Sequence, residues 1–142
     1  MKKDIGFGAI CIWIGFIGAI SFMEAWLKFT APGVTLSIGL GIGRLVFAAL
    51  NKMEWVVFLT AFISLFQLKI FFKTTDTLLL FAALILIVQT IWLLPALDAR
   101  AELYITGAAV PPSNLHIYYV AAEGLKMITL LTVAISLLRR KS

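Results

Sequence analysis

Residues 115–138 read LHIYYVAAEGLKMITLLTVAISLL. As an α-helix this stretch would run about 36 Å, enough to cross the roughly 30 Å hydrocarbon core of a bilayer. Its only residues charged at neutral pH are Glu123 and Lys126, three apart and well inside the apolar run. Glu123 lies eight residues in, about 12 Å deep. An isolated charge there costs roughly 2.5–3.5 kcal/mol or more, so Glu123 must face protein or water. Two readings follow: an i,i+3 ion pair with Lys126 that locks helix packing, or a functional carboxyl. His116 lies seven residues before Glu123 and so on the same helical face. The two could form a proton relay or two ligands of a divalent metal. The plainer alternative is an interfacial histidine beside Tyr118, Tyr119 and Trp92. Two side chains do not complete a metal site, so Glu24 or Asp98 would have to join them.

The whole chain shares the character of this segment. Its 142 residues are 62% hydrophobic and 13% charged, with a mean hydropathy of +1.05. A soluble domain carries about 25% charged residues, so too little polar surface exists to cover a water-soluble globule. Residues 1–142 therefore read as a single all-α transmembrane domain whose partner is the lipid bilayer. The net charge of +5 gathers at helix ends, which suits anionic headgroups. No basic patch with interleaved aromatics tracks a nucleic-acid backbone. Cys11 is the only cysteine, which excludes an intrachain disulfide, and its apolar setting suggests a packed, inert thiol.

Three further spans precede residues 115–138. The first covers about 5–27, too long for a usual signal core; Gly15 and Ala19 form a small-xxx-small pair that would admit another helix. Pro32-Gly33 then breaks the chain. The others cover about 55–72 and 77–97, joined by a polar turn at 73–76, and a polar loop follows at 98–114. Between the first two lies an apolar stretch of about 36–50, roughly 22 Å as a helix. Ser37, Arg44 and Asn51 recur on it every seven residues. It reads as an extra short amphipathic or re-entrant helix whose polar face turns toward a pocket or the interface.

Four spans place both termini and the 73–76 turn on one side. That side receives Lys2, Lys3, Lys69, Lys73, Arg139, Arg140 and Lys141, against Lys28, Arg44, Lys52 and Arg100 on the other. The excess predicts cytoplasmic termini in a bacterial inner membrane. Glu24, Lys28, Arg44, Asp98, Arg100, Glu102, His116, Glu123 and Lys126 all map to the half away from the termini, with Gln89 near mid-membrane. Such asymmetry predicts a polar pocket opening outward. Glu24 and Lys28 are spaced for an i,i+4 ion pair on the face of Ser21. Gln89 and Thr90 are suited to hydrogen bonds between helices.

A single histidine excludes bis-histidine haem within one chain, and neither GxSxG nor HExxH occurs. The order of features resembles the small four-helix family named after transmembrane protein 205, and more distantly the copper-resistance D membrane proteins. The resemblance rests on Gly43-Arg44-Leu45-Val46-Phe47, on Gln89-Thr90 with Pro95 and Arg100, and on Leu115-His116. That family carries Ser and Asn further along its last span, where this chain has Tyr119 and Glu123. The resemblance implies the four-helix architecture and a link to metal or drug tolerance. The leading expectation is a protein that binds or transports a small cation or amphipathic solute, with Glu123, His116, Lys126, Glu24, Arg44 and Gln89 as candidate ligands. The alternatives are a membrane enzyme using Glu123 and His116 for acid–base work on a lipid or isoprenoid, and a structural subunit of a homo-oligomer or larger membrane complex.

Overall fold

The computed structural model describes residues 1–65 and 74–139. The expected positions of Lys69, Lys73, Arg140 and Lys141 lie outside these residues. Four helices account for nearly all of the described chain: α1 (Lys2–Thr30), α2 (Leu36–Leu65), α3 (Thr74–Ile105) and α4 (Leu115–Arg139). All four are long and apolar enough to cross a membrane. They form an antiparallel ring, with α1 packed on α2, α2 on α3, α3 on α4, and α4 back on α1.

One sequence expectation is corrected here. Residues 36–50 are not a separate short helix but the first half of α2, which runs unbroken to Leu65. A break at 51–54 is suggested only by polarity. Asn51-Lys52-Met53-Glu54 contains neither glycine nor proline, and all four residues are compatible with helix. Lys52 is exposed, whereas Asn51 and Glu54 are buried and find partners within the bundle. The stripe of Ser37, Arg44 and Asn51 is nonetheless real. Each of the three bonds a group on α3: the Tyr104 carbonyl, Asp98 and Thr90 respectively.

Helix ends also extend beyond their expected bounds. Residues 74–76 already belong to α3, and α3 continues through Asp98 and Glu102 to Ile105. Gly107, at φ 73°, terminates it, and Gly33, at φ 80°, lies in the turn between α1 and α2; glycine adopts this left-handed conformation without the Cβ penalty. Helices α2 and α3 are about 45 and 48 Å long, more than a bilayer core requires.

Two helices widen locally into π-helical turns, at Ile17–Glu24 in α1 and Gln89–Leu93 in α3. The second has an evident cause. Pro95 has no N–H to give the Ile91 carbonyl and crowds the turn before it.

Packing contacts differ from the expected ones in detail. The Gly15/Ala19 face meets no helix among the described residues, and a Cβ added to Gly15 would touch nothing. Close approach occurs at Gly6, under Leu65, and at Gly39, under Phe29. Cys11 is exposed on the outer surface rather than packed.

The bundle is layered along its axis. The half nearest the termini is filled mainly by apolar residues, among them Ile10, Trp13, Ile17, Ala61, Leu79, Ala82, Leu86, Leu130 and Val133, with Thr75, Asp76 and Thr129 also buried there. Ionisable groups occupy the middle, where Glu54, Glu123 and Lys126 are at most 1% exposed. Meanwhile Leu45 and Ile63 are each 76% exposed on the periphery. Charge inside and hydrocarbon outside is the distribution expected of a chain dissolved in lipid.

Candidate functional site

Two features occupy the half of the bundle away from the termini: a buried polar cluster and, beyond it, a cavity.

The cluster is built around Lys126 on α4. Its Nζ lies 2.5 Å from Glu54 Oε1 and 2.9 Å from Glu123 Oε1, and donates to Gln89 Oε1 at 2.6 Å. An ammonium has three N–H donors, and three acceptors meet it. Gln89 Nε2 donates in turn to Glu123 Oε1 at 2.5 Å. Only one orientation of the Gln89 amide serves both neighbours, its oxygen toward the ammonium and its nitrogen toward the carboxylate. Ser21 Oγ donates to Glu123 Oε2 at 3.1 Å, and Trp13 Nε1 donates to Glu54 Oε1 at 2.8 Å. Tyr119, 3% exposed, lies beside Ser21 and Glu123.

All four helices contribute to this cluster: Trp13 and Ser21 from α1, Glu54 from α2, Gln89 from α3, and Tyr119, Glu123 and Lys126 from α4. Ser21 and Gln89 both sit in the π-helical turns, where an extra residue per turn re-aims the side chains. Two wide turns on separate helices thus converge on one carboxylate.

Beside the cluster, Thr90 Oγ1 accepts hydrogen bonds from Asn51 Nδ2 and Trp55 Nε1, each at 3.0 Å, and donates to the Leu86 carbonyl. This group fastens α2 to α3.

Above it lies a cavity of about 500 Å³. Its apolar wall includes Phe29, Leu40, Phe47 and Leu94, and its charged groups are Lys28, Arg44, Lys52 and Asp98, with His116 also on the lining. Asn51, Thr90 and Tyr119 form its boundary with the polar groups beneath. Lys28 is braced by Glu24 at 3.2 Å and lies over the rings of Phe29 and Phe47. Arg44 pairs with Asp98 and Glu102 on α3. Neither Glu24 nor Glu102 lines the cavity, so the wall presents three basic side chains and one carboxylate.

The sequence candidates therefore divide into two groups. Glu123, Lys126 and Gln89 come together in the buried cluster. Arg44 and His116 line the cavity, with Glu24 behind its wall. His116 and Glu123 share a helical angle but differ in height by about 10 Å. Both Glu123 oxygens already accept from protein donors, and His116 is exposed at the cavity. Among the described residues, no three His, Cys, Asp or Glu side chains group to hold a metal ion. Sequence reasoning missed Glu54 and Trp13. Glu54 follows an apparent helix end, and the signal that reveals it is the absence of any glycine or proline between Arg44 and Leu65.

No protein-family model, curated protein or solved structure matches the chain.

Proposed function

We propose that the protein binds an amphipathic solute with an anionic head in the cavity between α1, α2, α3 and α4, as a membrane-embedded receptor or carrier. The observation that carries this reading is the combination of an apolar cavity of about 500 Å³ with three basic side chains on its wall. That volume lies within the range of small-molecule sites, and apolar walls with a few convergent polar groups are typical of them. Of the two ligand classes considered from sequence, a small cation fits poorly. Asp98, the one carboxylate on the wall, is engaged by Arg44, whereas Lys52 has no carboxylate partner among the described residues.

An anionic head would meet Lys28, held by Glu24, and Arg44, held by Asp98 and Glu102. Lys52 completes the set. The hydrocarbon part would lie along Phe29, Phe47 and Leu94. In the leading arrangement this end of the bundle faces outward and both termini are cytoplasmic, in keeping with the excess of basic residues near the termini.

The test is native mass spectrometry of the protein released from a neutral detergent, with lauric acid or dodecyltrimethylammonium added. One lauric acid should be retained, and the cationic amphiphile should not. Loss of one charge-assisted hydrogen bond is worth about 1.5–3 kcal/mol, so Arg44→Gln combined with Lys52→Gln should weaken retention by roughly tenfold or more. Preferential retention of the cationic amphiphile, or lauric acid binding indifferent to the double substitution, would remove this reading.

A further inference from the structure

We propose that the buried Glu54–Lys126–Glu123 cluster is a binding site for a single proton, loaded from the cavity side through Tyr119. The inference does not depend on which solute the cavity takes.

It begins with a charge count. At the centre of the bundle two carboxyl groups face one ammonium, and all three are at most 1% exposed. The groups that face them from the other elements are Trp13 and Ser21 on α1 and Gln89 on α3, which carry no charge, and Tyr119 on α4. Asp76 is also buried, but it has interactions of its own and precedes Gln89 on α3 by about 20 Å. Lys126 therefore balances one carboxylate and leaves the other uncompensated in a medium that strongly disfavours net charge. One added proton makes the cluster neutral.

A metal ion would balance the same charge, but the geometry favours a proton. The point between the two carboxyl groups is already occupied by Lys126 Nζ, which touches Oε1 of both. Gln89 and Ser21 aim donors, not acceptors, at Glu123, and Trp13 aims a donor at Glu54. A cation would have to displace the ammonium and turn these donors away. A proton requires no vacant volume, and Lys126 Nζ, which touches both carboxyls, links them.

Access is one-sided. Tyr119 lines the cavity and is the cluster's neighbour on that side, beside Ser21 and Glu123. Toward the termini the cluster rests on Ile17, Ala61, Leu86, Leu130 and Val133, and the buried Thr129 hydroxyl on that side is committed to the Leu125 carbonyl.

Infrared spectroscopy of the protein in zwitterionic nanodiscs at neutral pH tests this. The wild-type spectrum should contain one carboxylic-acid C=O band that shifts on transfer to heavy water. Glu54→Gln and Glu123→Gln should each abolish it, because the surviving carboxylate then pairs one-to-one with Lys126. Tyr119→Phe should retain the band and slow its deuterium shift at least tenfold. The wild-type spectrum decides the matter even where a variant fails to fold: absence of the band overturns the proposal. So does a band that persists in both glutamine variants, or one that disappears when sodium or potassium is raised. A deuterium shift equally fast in Tyr119→Phe overturns the route through the cavity.

Discussion

Replacing Lys126 with methionine should destabilise the protein by roughly 3–5 kcal/mol, the loss typical when one partner of a buried ion pair is removed. The side chain is fully buried and touches Glu54, Glu123 and Gln89. Methionine fills similar space, so the loss is one of charge rather than volume. Two carboxyl groups would then face each other with no cation between them. The companion substitutions follow from the geometry. Glu123→Gln added to Lys126→Met should restore only part of the stability, because Glu54 remains buried without its ammonium. Adding Glu54→Gln as well should restore most of it, since a neutral hydrogen-bonded layer remains. Thermal unfolding in detergent micelles, followed by near-ultraviolet circular dichroism, would measure the series. An unfolding temperature unaffected by Lys126→Met would show that the cluster contributes little to holding the helices together.

The second large effect is expected at Met53. Its side chain points outward and is 42% exposed, so packing alone would tolerate many residues there. Proline at this position would remove the backbone hydrogen bond to Ala49 and press its ring against that turn, at a cost of about 3 kcal/mol or more. The damage would fall midway along α2, between Asn51 and Glu54, and would tilt both away from Thr90 and Lys126. Met53→Ala is the control and should unfold near the wild-type temperature. If Met53→Pro did likewise, residues 36–50 would be an independent helix after all and the continuous α2 would be wrong.

That substitution marks where sequence reasoning ran out. The four spans were legible because each is a long apolar run, and bilayer thickness converts run length directly into topology. Glu123 and Lys126 were legible because charges inside such a run demand partners. The recurrence of Ser37, Arg44 and Asn51 was legible because seven residues return a helix to nearly the same angle. What the angle conceals is height. It aligned His116 with Glu123, yet the two are separated by about two turns and belong to the cavity and the cluster respectively. Glu54 and Trp13 were invisible for another reason. Polarity at 51–54 resembles a loop, and only the partners on α1, α3 and α4 reveal that two of those four residues point inward. An indole in an apolar run likewise gives no sign that its N–H meets a carboxylate 41 residues away.

The placement of the charges also bears on how the chain enters the membrane. Mean hydropathy over the best windows is 2.1 in α1 and 2.5 in α3, but 1.5 in α2 and 1.7 in α4. The helices that carry Glu54, Glu123 and Lys126 are thus the two least willing to partition into lipid alone. During synthesis α4 emerges after α2 and α3, so Glu54 must wait for its ammonium until then. Until then α2 depends on α1, whose Trp13 already offers Glu54 a hydrogen bond. Helix α4 can settle only into a site that the first three helices have prepared. The order of emergence thus matches the placement of charge: an N-terminal pair that holds a carboxyl in reserve, a strongly apolar third helix, and a fourth whose Glu123 and Lys126 meet partners on the three before it.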